Sequence, residues 1–442
     1  MRSLSALLCL LFLLLPARAQ SVPYTEFDLP NGLHVILHED HSLPIVSVNL
    51  WYHVGSANEK PKRTGFAHLF EHLMFEGSKN VPEGDFDNLL EAVGGDNNGS
   101  TTSDRTNYWI TVPSNALELA LFLESDRMGW LLDTMTAERV NGQREVVKNE
   151  LRQSYANVPY GMASIIVDEL TFPPGHPYHW PTIGYMADLN AATHKDVADF
   201  FKRYYVPNNA SLVIAGDIDP LQARALVTKW FGPIKPGQPV LPVAPPPAEL
   251  TRVVRKTIQD KVQLPRLDIA WITPPHYAPG DAELDLVAQI LAGGKNSRLY
   301  KRLVYDLQVA QEVSAYQASS RLASTFHIVL TPRPGHTTEE LKRVVDEELE
   351  RLRTELVSQR ELDRARNGLE ATFLASLEQL SGFGGKADML NGYYVATGNP
   401  DYFALDLNRY RAVRASDLAA VVRSFLPTGR RVELTVVPEV KK

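Results

Sequence analysis

The sequence predicts an α+β fold of two homologous domains, each an antiparallel-rich sheet with helices packed on one side, and three observations lead there. A helix-then-strand pattern closes each half of the chain, at 196–205 with Pro207 and 211–215, and again at 417–426 with Pro427 and 432–436; such self-similarity marks an internal duplication. A Pro-rich stretch at 236–250 lacks the backbone donors that helices and sheets need, and it reads as a linker between the halves. Strand and helix patterns are mixed rather than strictly alternating, which favours antiparallel pairing over βαβ units.

The elements follow in chain order. Arg2, an apolar run at 4–15, Pro16 and the small-x-small triplet Ala17-Arg18-Ala19 give residues 1–19 the form of a cleaved signal peptide. The run is shorter than the roughly 20 apolar residues of a membrane span. The expectation is an exported protein starting at Gln20, periplasmic in a Gram-negative bacterium and otherwise secreted. Cys9, flanked by Leu8 and Leu10, does not suit a lipidation site, and its removal leaves a mature chain without disulfides or thiol chemistry. The N-terminal domain, 20–235, opens with paired strands at 33–38 and 46–53, then a helix at 65–75, a polar strand at 100–112 and helices at 115–132 and 138–153. The C-terminal domain, 251–442, repeats the pattern. With 44% hydrophobic and 22% charged residues in 442, the chain is globular, and a net charge of -7 without a basic block argues against nucleic acid.

The chemistry concentrates in His68-Leu-Phe-Glu71-His72. At about 100° per residue, the two imidazoles and the carboxylate share one helical face within about 100° of arc. Two histidines one turn apart can chelate zinc, and the neighbouring carboxylate can serve a water molecule. A solvated His/Glu face is the alternative.

The inverted order of this motif resembles the inverzincins, and specifically the M16 metallopeptidases such as pitrilysin, insulin-degrading enzyme and mitochondrial processing peptidase. The resemblance extends through Phe75-Glu-Gly-Ser, Gly94-Gly95 with Asn98, Thr106-Asn-Tyr108, the 204–210 segment, and Gly293 to Tyr300 in the second half. It implies the M16 fold of two such domains, the second lacking the metal motif, and a zinc endopeptidase activity on peptides or unfolded segments with one zinc per chain. His68, His72 and a downstream glutamate are the implied ligands, and Glu71 the implied general base. The segment 143–150 matches the family's third-ligand helix and selects Glu150, 78 residues after His72, over Glu145, which points about 140° away. Where many relatives carry an acid seven residues earlier, this chain has Gln143, which is expected to lower turnover. The family's substrate edge falls at Asn98, Gly99 and Ser100, where an extended peptide would add as a strand; a plain edge strand is the alternative.

The second half departs from the pattern. Active relatives carry an arginine and, seven residues on, a tyrosine that hold substrate at the zinc; in register this chain has Val304 and Gln311, while Arg298 and Tyr305 share the spacing six residues too early. The resemblance therefore implies a heterodimer in which a homologous M16 subunit supplies the clamp, with a self-sufficient homodimer and a non-catalytic peptide-binding or assembly subunit as alternatives. His53 reads as structural, His176 and His179 as turn or packing residues, and Gly293-Gly294 as a helix-entry turn rather than a phosphate loop.

Overall fold

The computed structural model describes residues 21–439, so the segment read as a signal peptide, with Cys9, lies outside the described residues. Strands β1 (Thr25–Asp28), β2 (His34–Glu39), β3 (Ile45–Tyr52), β4 (Asp96–Thr101), β5 (Thr106–Pro113) and β6 (Ala210–Gly216) form one sheet in the order β1-β2-β6-β3-β5-β4. Strands β7 (Val254–Asp260), β8 (Arg266–Thr273), β9 (Ala310–Ala318), β10 (Ser324–Pro332) and β11 (Val432–Pro438) form a second in the order β7-β11-β8-β10-β9. Apart from β1, the two orders are the same. In each half the last strand inserts parallel to an early one, β6 beside β2 and β11 beside β7, and every other pairing is antiparallel. The fold is α+β with two equivalent halves.

Alternation along the strands sends one face of each sheet into its own core. Leu50, Tyr52, Tyr108 and Ile110 meet Leu69, Phe70 and Leu121 in the first half, and Ile269, Trp271 and Phe326 meet Leu284 and Val287 in the second. The opposite faces are covered by exchange. Helix Ala163–Thr171 of the first half packs on β8 and β11, and helix Lys386–Thr397 of the second packs on β3 and β6. Each sheet thus carries its own helices on one face and a helix from the other half on the other. Residues 236–250 form no helix or strand.

Two elements differ from the sequence reading. The single polar strand expected at 100–112 is two strands, because 102–105 makes a tight turn: the Thr102 amide donates to the Arg105 carbonyl at 2.8 Å, and the Thr102 hydroxyl accepts the Asp104 and Arg105 amides at 3.2 Å each. Serine and aspartate at its centre are turn formers that an alternating pattern conceals. The helix expected at 138–153 is α-helical over Ala137–Glu150 and widens into a π-helical turn, Leu151–Ala156.

Candidate metal centre

The helix carrying the motif, Phe66–Leu73, is held at its start by an acid from outside the motif. Gly65 adopts the left-handed conformation at φ 86, where a Cβ would lie 2.8 Å from the Ile183 carbonyl oxygen. The buried Glu59 carboxylate accepts the Gly65 and Ala67 amides at 2.9 Å each, satisfying two donors that a helix start leaves open. Burial pushes Glu59 up to about 8 against the pull of those amides. Leu69, Phe70 and Leu73 anchor the other face in the core, and this fixes which way His68, Glu71 and His72 point.

His68 and His72 stand with ring centroids 4.8 Å apart at 86°. Glu150, the last residue of helix Ala137–Glu150, brings Oε2 to 3.5 Å from His68 Nε2 and 3.2 Å from His72 Nε2. One ligand atom from each of the three falls within 4.8 Å of the others. Donors about 2.0–2.1 Å from a tetrahedral zinc stand about 3.3 Å apart, so two imidazoles and a carboxylate at these separations fit that ion. Burial holds His68 well below its usual range, which keeps it a neutral ligand, and the hydrogen bond from His72 lowers Glu150, which keeps it anionic. Glu145, the rival acid, is turned away into an ion pair with Lys148 at 2.7 Å.

Glu71 lies between this cluster and strand β4. A Cβ built on Gly99 would come within 3.3 Å of Glu71 Cγ and 3.0 Å of the Tyr108 ring, so strand and helix approach closely there and any larger residue would press on both side chains. Burial raises the Glu71 carboxyl above its ordinary value, with Thr101 and His72 pulling it back. The three residues expected at a substrate edge are not equivalent. The register pairs Gly99 with Tyr108 and Ser100 with Asn107, and the Thr102-to-Arg105 bond fixes which of these are hydrogen-bonded pairs. The backbone groups that face outward, without a partner on β5, therefore belong to Asn97, Gly99 and Thr101, and the Asp96 and Asn98 side chains accept the Asn97 and Gly99 amides at 2.9 and 2.8 Å, bonds that an added strand would replace. The Ser100 hydroxyl donates to Asn107 on the far face.

Gln143 is not idle, because its amide donates to Glu76 Oε1 at 2.5 Å. A carboxylate thus adjoins this position from the motif's own segment, which sequence reading missed. His53 is half-buried, with Nε2 3.0 Å from the Ser211 hydroxyl, and desolvation pushes it down to about 4. His176 stacks on Phe172, and His179 bonds the Phe172 carbonyl at 2.8 Å, both in packing roles. Gly293-Gly294 joins helix Asp281–Ala292 to the turn leading into Tyr300–Asp306, with Gly294 at φ 100. Val304 packs against the second core from that π-helical segment, and Gln311 is exposed on β9. Arg298 is engaged by Glu361 at 2.8 Å, whereas Tyr305 is exposed.

Known proteins resemble this chain along most of its length. Residues 34–162 match the family model described as insulinase, peptidase family M16, and residues 191–369 match the M16 inactive domain. Zinc protease PqqE of Helicobacter pylori is 28% identical, covering 98% of this chain and 97% of its own. An uncharacterized zinc protease of Streptomyces coelicolor is 26% identical over 93% of this chain and 89% of its own. The crystal structure of a Helicobacter pylori protease superposes with a TM-score of 0.86 at 26% identity, covering 95% of this chain and all of the other. An M16 inactive-domain structure from Pseudomonas fluorescens superposes at 0.82 with 19% identity, covering 95% of this chain and 99% of its own, a likeness of fold.

Proposed function

This chain belongs to peptidase family M16, and from that premise we propose that it is an exported zinc-dependent endopeptidase acting on peptides or unfolded segments. The observation that carries the reading is the meeting of His68, His72 and Glu150 beside Glu71 and an edge strand. Those three side chains would hold one zinc ion, which when bound polarises the peptide carbonyl and acidifies the attacking water. Glu71 accepts the proton of that water at its carboxylate and returns it to the leaving amine; its elevated affinity for protons suits both transfers. Outward backbone groups on β4 bind an extended peptide with little regard to side chain. Export is supported by the signal-like segment 1–19, and among the described residues no helix is long and apolar enough to cross a membrane.

The active unit is a heterodimer with a homologous M16 chain that supplies the substrate clamp. Supporting this are Val304, packed into the second core, Gln311 and an Arg298 already held by Glu361. The test is zinc content and peptide hydrolysis of the purified chain, alone and mixed with a homologous partner. One zinc per chain and slow cleavage that rises on mixing are the expected results. Full activity from the single chain favours a homodimer, and absence of both zinc and hydrolysis returns a non-catalytic subunit.

A further inference from the structure

The turn joining β4 to β5 is tied to the C-terminal half at its tip and along its inner face. At the tip, Asp104 accepts the Tyr178 hydroxyl at 2.7 Å, the Arg321 amide at 3.0 Å and Arg321 Nε at 3.4 Å. The Leu322 amide donates back to the Tyr178 hydroxyl at 3.0 Å. Arg321 and Leu322 lie in the turn between β9 and β10, which is the counterpart of the β4–β5 turn in the second sheet. The equivalent hairpins of the two halves therefore meet tip to tip.

The inner face is held from helix Lys386–Thr397. Asp388, buried there, accepts Asn107 Nδ2 at 2.7 Å, Trp51 Nε1 at 2.8 Å and the Gly384 amide at 2.8 Å. With its Nδ2 committed to Asp388, Asn107 turns Oδ1 toward β4, where it accepts Arg105 Nη1 at 2.8 Å and the Ser100 hydroxyl at 2.7 Å. Arg105 Nη1 also donates to the Ser100 carbonyl at 2.9 Å, and its guanidinium lies over the Trp51 ring at 5.2 Å. A buried carboxylate of the second half thus sets the orientation of one amide, and that amide orders the strand beside Glu71.

We propose that the C-terminal half, which lacks the metal motif, holds the substrate-binding edge strand in register with Glu71, with Asp388 and the Asp104–Arg321 contact as its positioning groups. The proposal rests on the reading of β4 as the peptide-binding edge. Strand addition needs Asn97, Gly99 and Thr101 to present their groups in one fixed line, and a hairpin fixed at only one end of β4 would offer them at shifting positions and hold an extended peptide less tightly.

The test uses the zinc-loaded full chain, with its partner if activity requires it, and compares Asp388→Asn with Asp104→Ala, which removes the acceptor of all three bonds at the tip and leaves the Asp388 network untouched should Asp388→Asn fail to fold. Zinc content is expected to stay at the wild-type value. Hydrogen exchange is expected to rise at 97–101 but not in helix Phe66–Leu73. KM for a ten-residue peptide is expected to rise about tenfold with kcat nearly unchanged, and a four-residue peptide to be cleaved as by the wild type. Unchanged exchange at 97–101 overturns the proposal whether or not the wild type cleaves peptides, which separates its failure from that of the peptidase reading. Equal losses on long and short peptides, or no loss on either, overturn it as well.

Discussion

Helices Phe66–Leu73 and Asp281–Ala292 open the same way and serve opposite purposes. Each starts from a glycine in the left-handed region, Gly65 at φ 86 and Gly280 at φ 102, after an interior strand of its sheet. Counted from these glycines, His68 falls opposite Glu283, Glu71 opposite Leu286 and His72 opposite Val287. In the second helix Glu283 reaches back to accept the Gly280 amide at 3.0 Å, while Leu286 and Val287 are fully buried. In the first, Glu59 accepts the Gly65 amide from another segment. Moving the capping acid out of the helix leaves its third position free for an imidazole. The two halves share a scaffold, and the difference in chemistry follows from where one carboxylate is placed.

If this comparison is right, its largest consequence concerns metal binding. His72→Ala or Glu150→Ala weakens zinc binding by more than about a hundredfold, since loss of even an outer partner of a metal ligand costs about 10- to 100-fold. Glu145→Ala leaves zinc binding as it is. A metal titration decides, and the reverse ranking of Glu145 and Glu150 refutes the ligand set.

The two capping acids give the next contrast. Glu59→Ala leaves two buried amides without acceptors and destabilises the protein by about 2–5 kcal/mol, lowering zinc affinity as the helix start loosens. Glu283→Ala removes one cap, costs about 1 kcal/mol and leaves zinc binding unchanged. Urea unfolding of the two variants measures this, and equal costs with equal zinc loss would erase the distinction drawn between the helices.

A smaller effect separates the helices by pH. Asp285 on the second helix accepts the Tyr410 hydroxyl at 2.9 Å, and burial pushes its carboxyl up to about 7. Between an unfolded value of about 4 and that folded value the native chain holds a proton that the unfolded chain has lost, so this residue's contribution to stability falls as pH rises through the window. Asp285→Asn should flatten that decline without altering zinc binding. Unfolding midpoints at pH 4.5 and 7.5 read it out, and an unchanged slope counts against the assignment.

How much of this is legible in the sequence depends on the range of the interactions. The repeated ends of the two halves carry the duplication, because a helix period and a strand period are local signals. His68, Glu71 and His72 share a face through helical spacing alone, and the segment around Glu150 adds the third side chain that the structure brings to them. Glu59 was missed because its capping role depends on a tertiary fold-back of the chain onto Gly65. The split of β4 from β5 was hidden because Thr102 and Asp104 suit an alternating polar pattern as well as a turn. The link from Asp388 to Asn107 joins residues 281 positions apart and leaves no periodic trace. Gln143 reads in the sequence as a lost charge, and the carboxylate of Glu76 comes beside it only through a tertiary contact.

The central claim is that Glu71 acts on water while His68, His72 and Glu150 act on metal, and Glu71→Gln separates these jobs in one protein. Zinc content and peptide hydrolysis should be measured on this variant beside the wild type, under the conditions where the wild type is active. The account predicts the same zinc content and a rate lower by about 10²- to 10⁴-fold. A variant that cleaves as fast as the wild type, or that loses its zinc along with its activity, would contradict it.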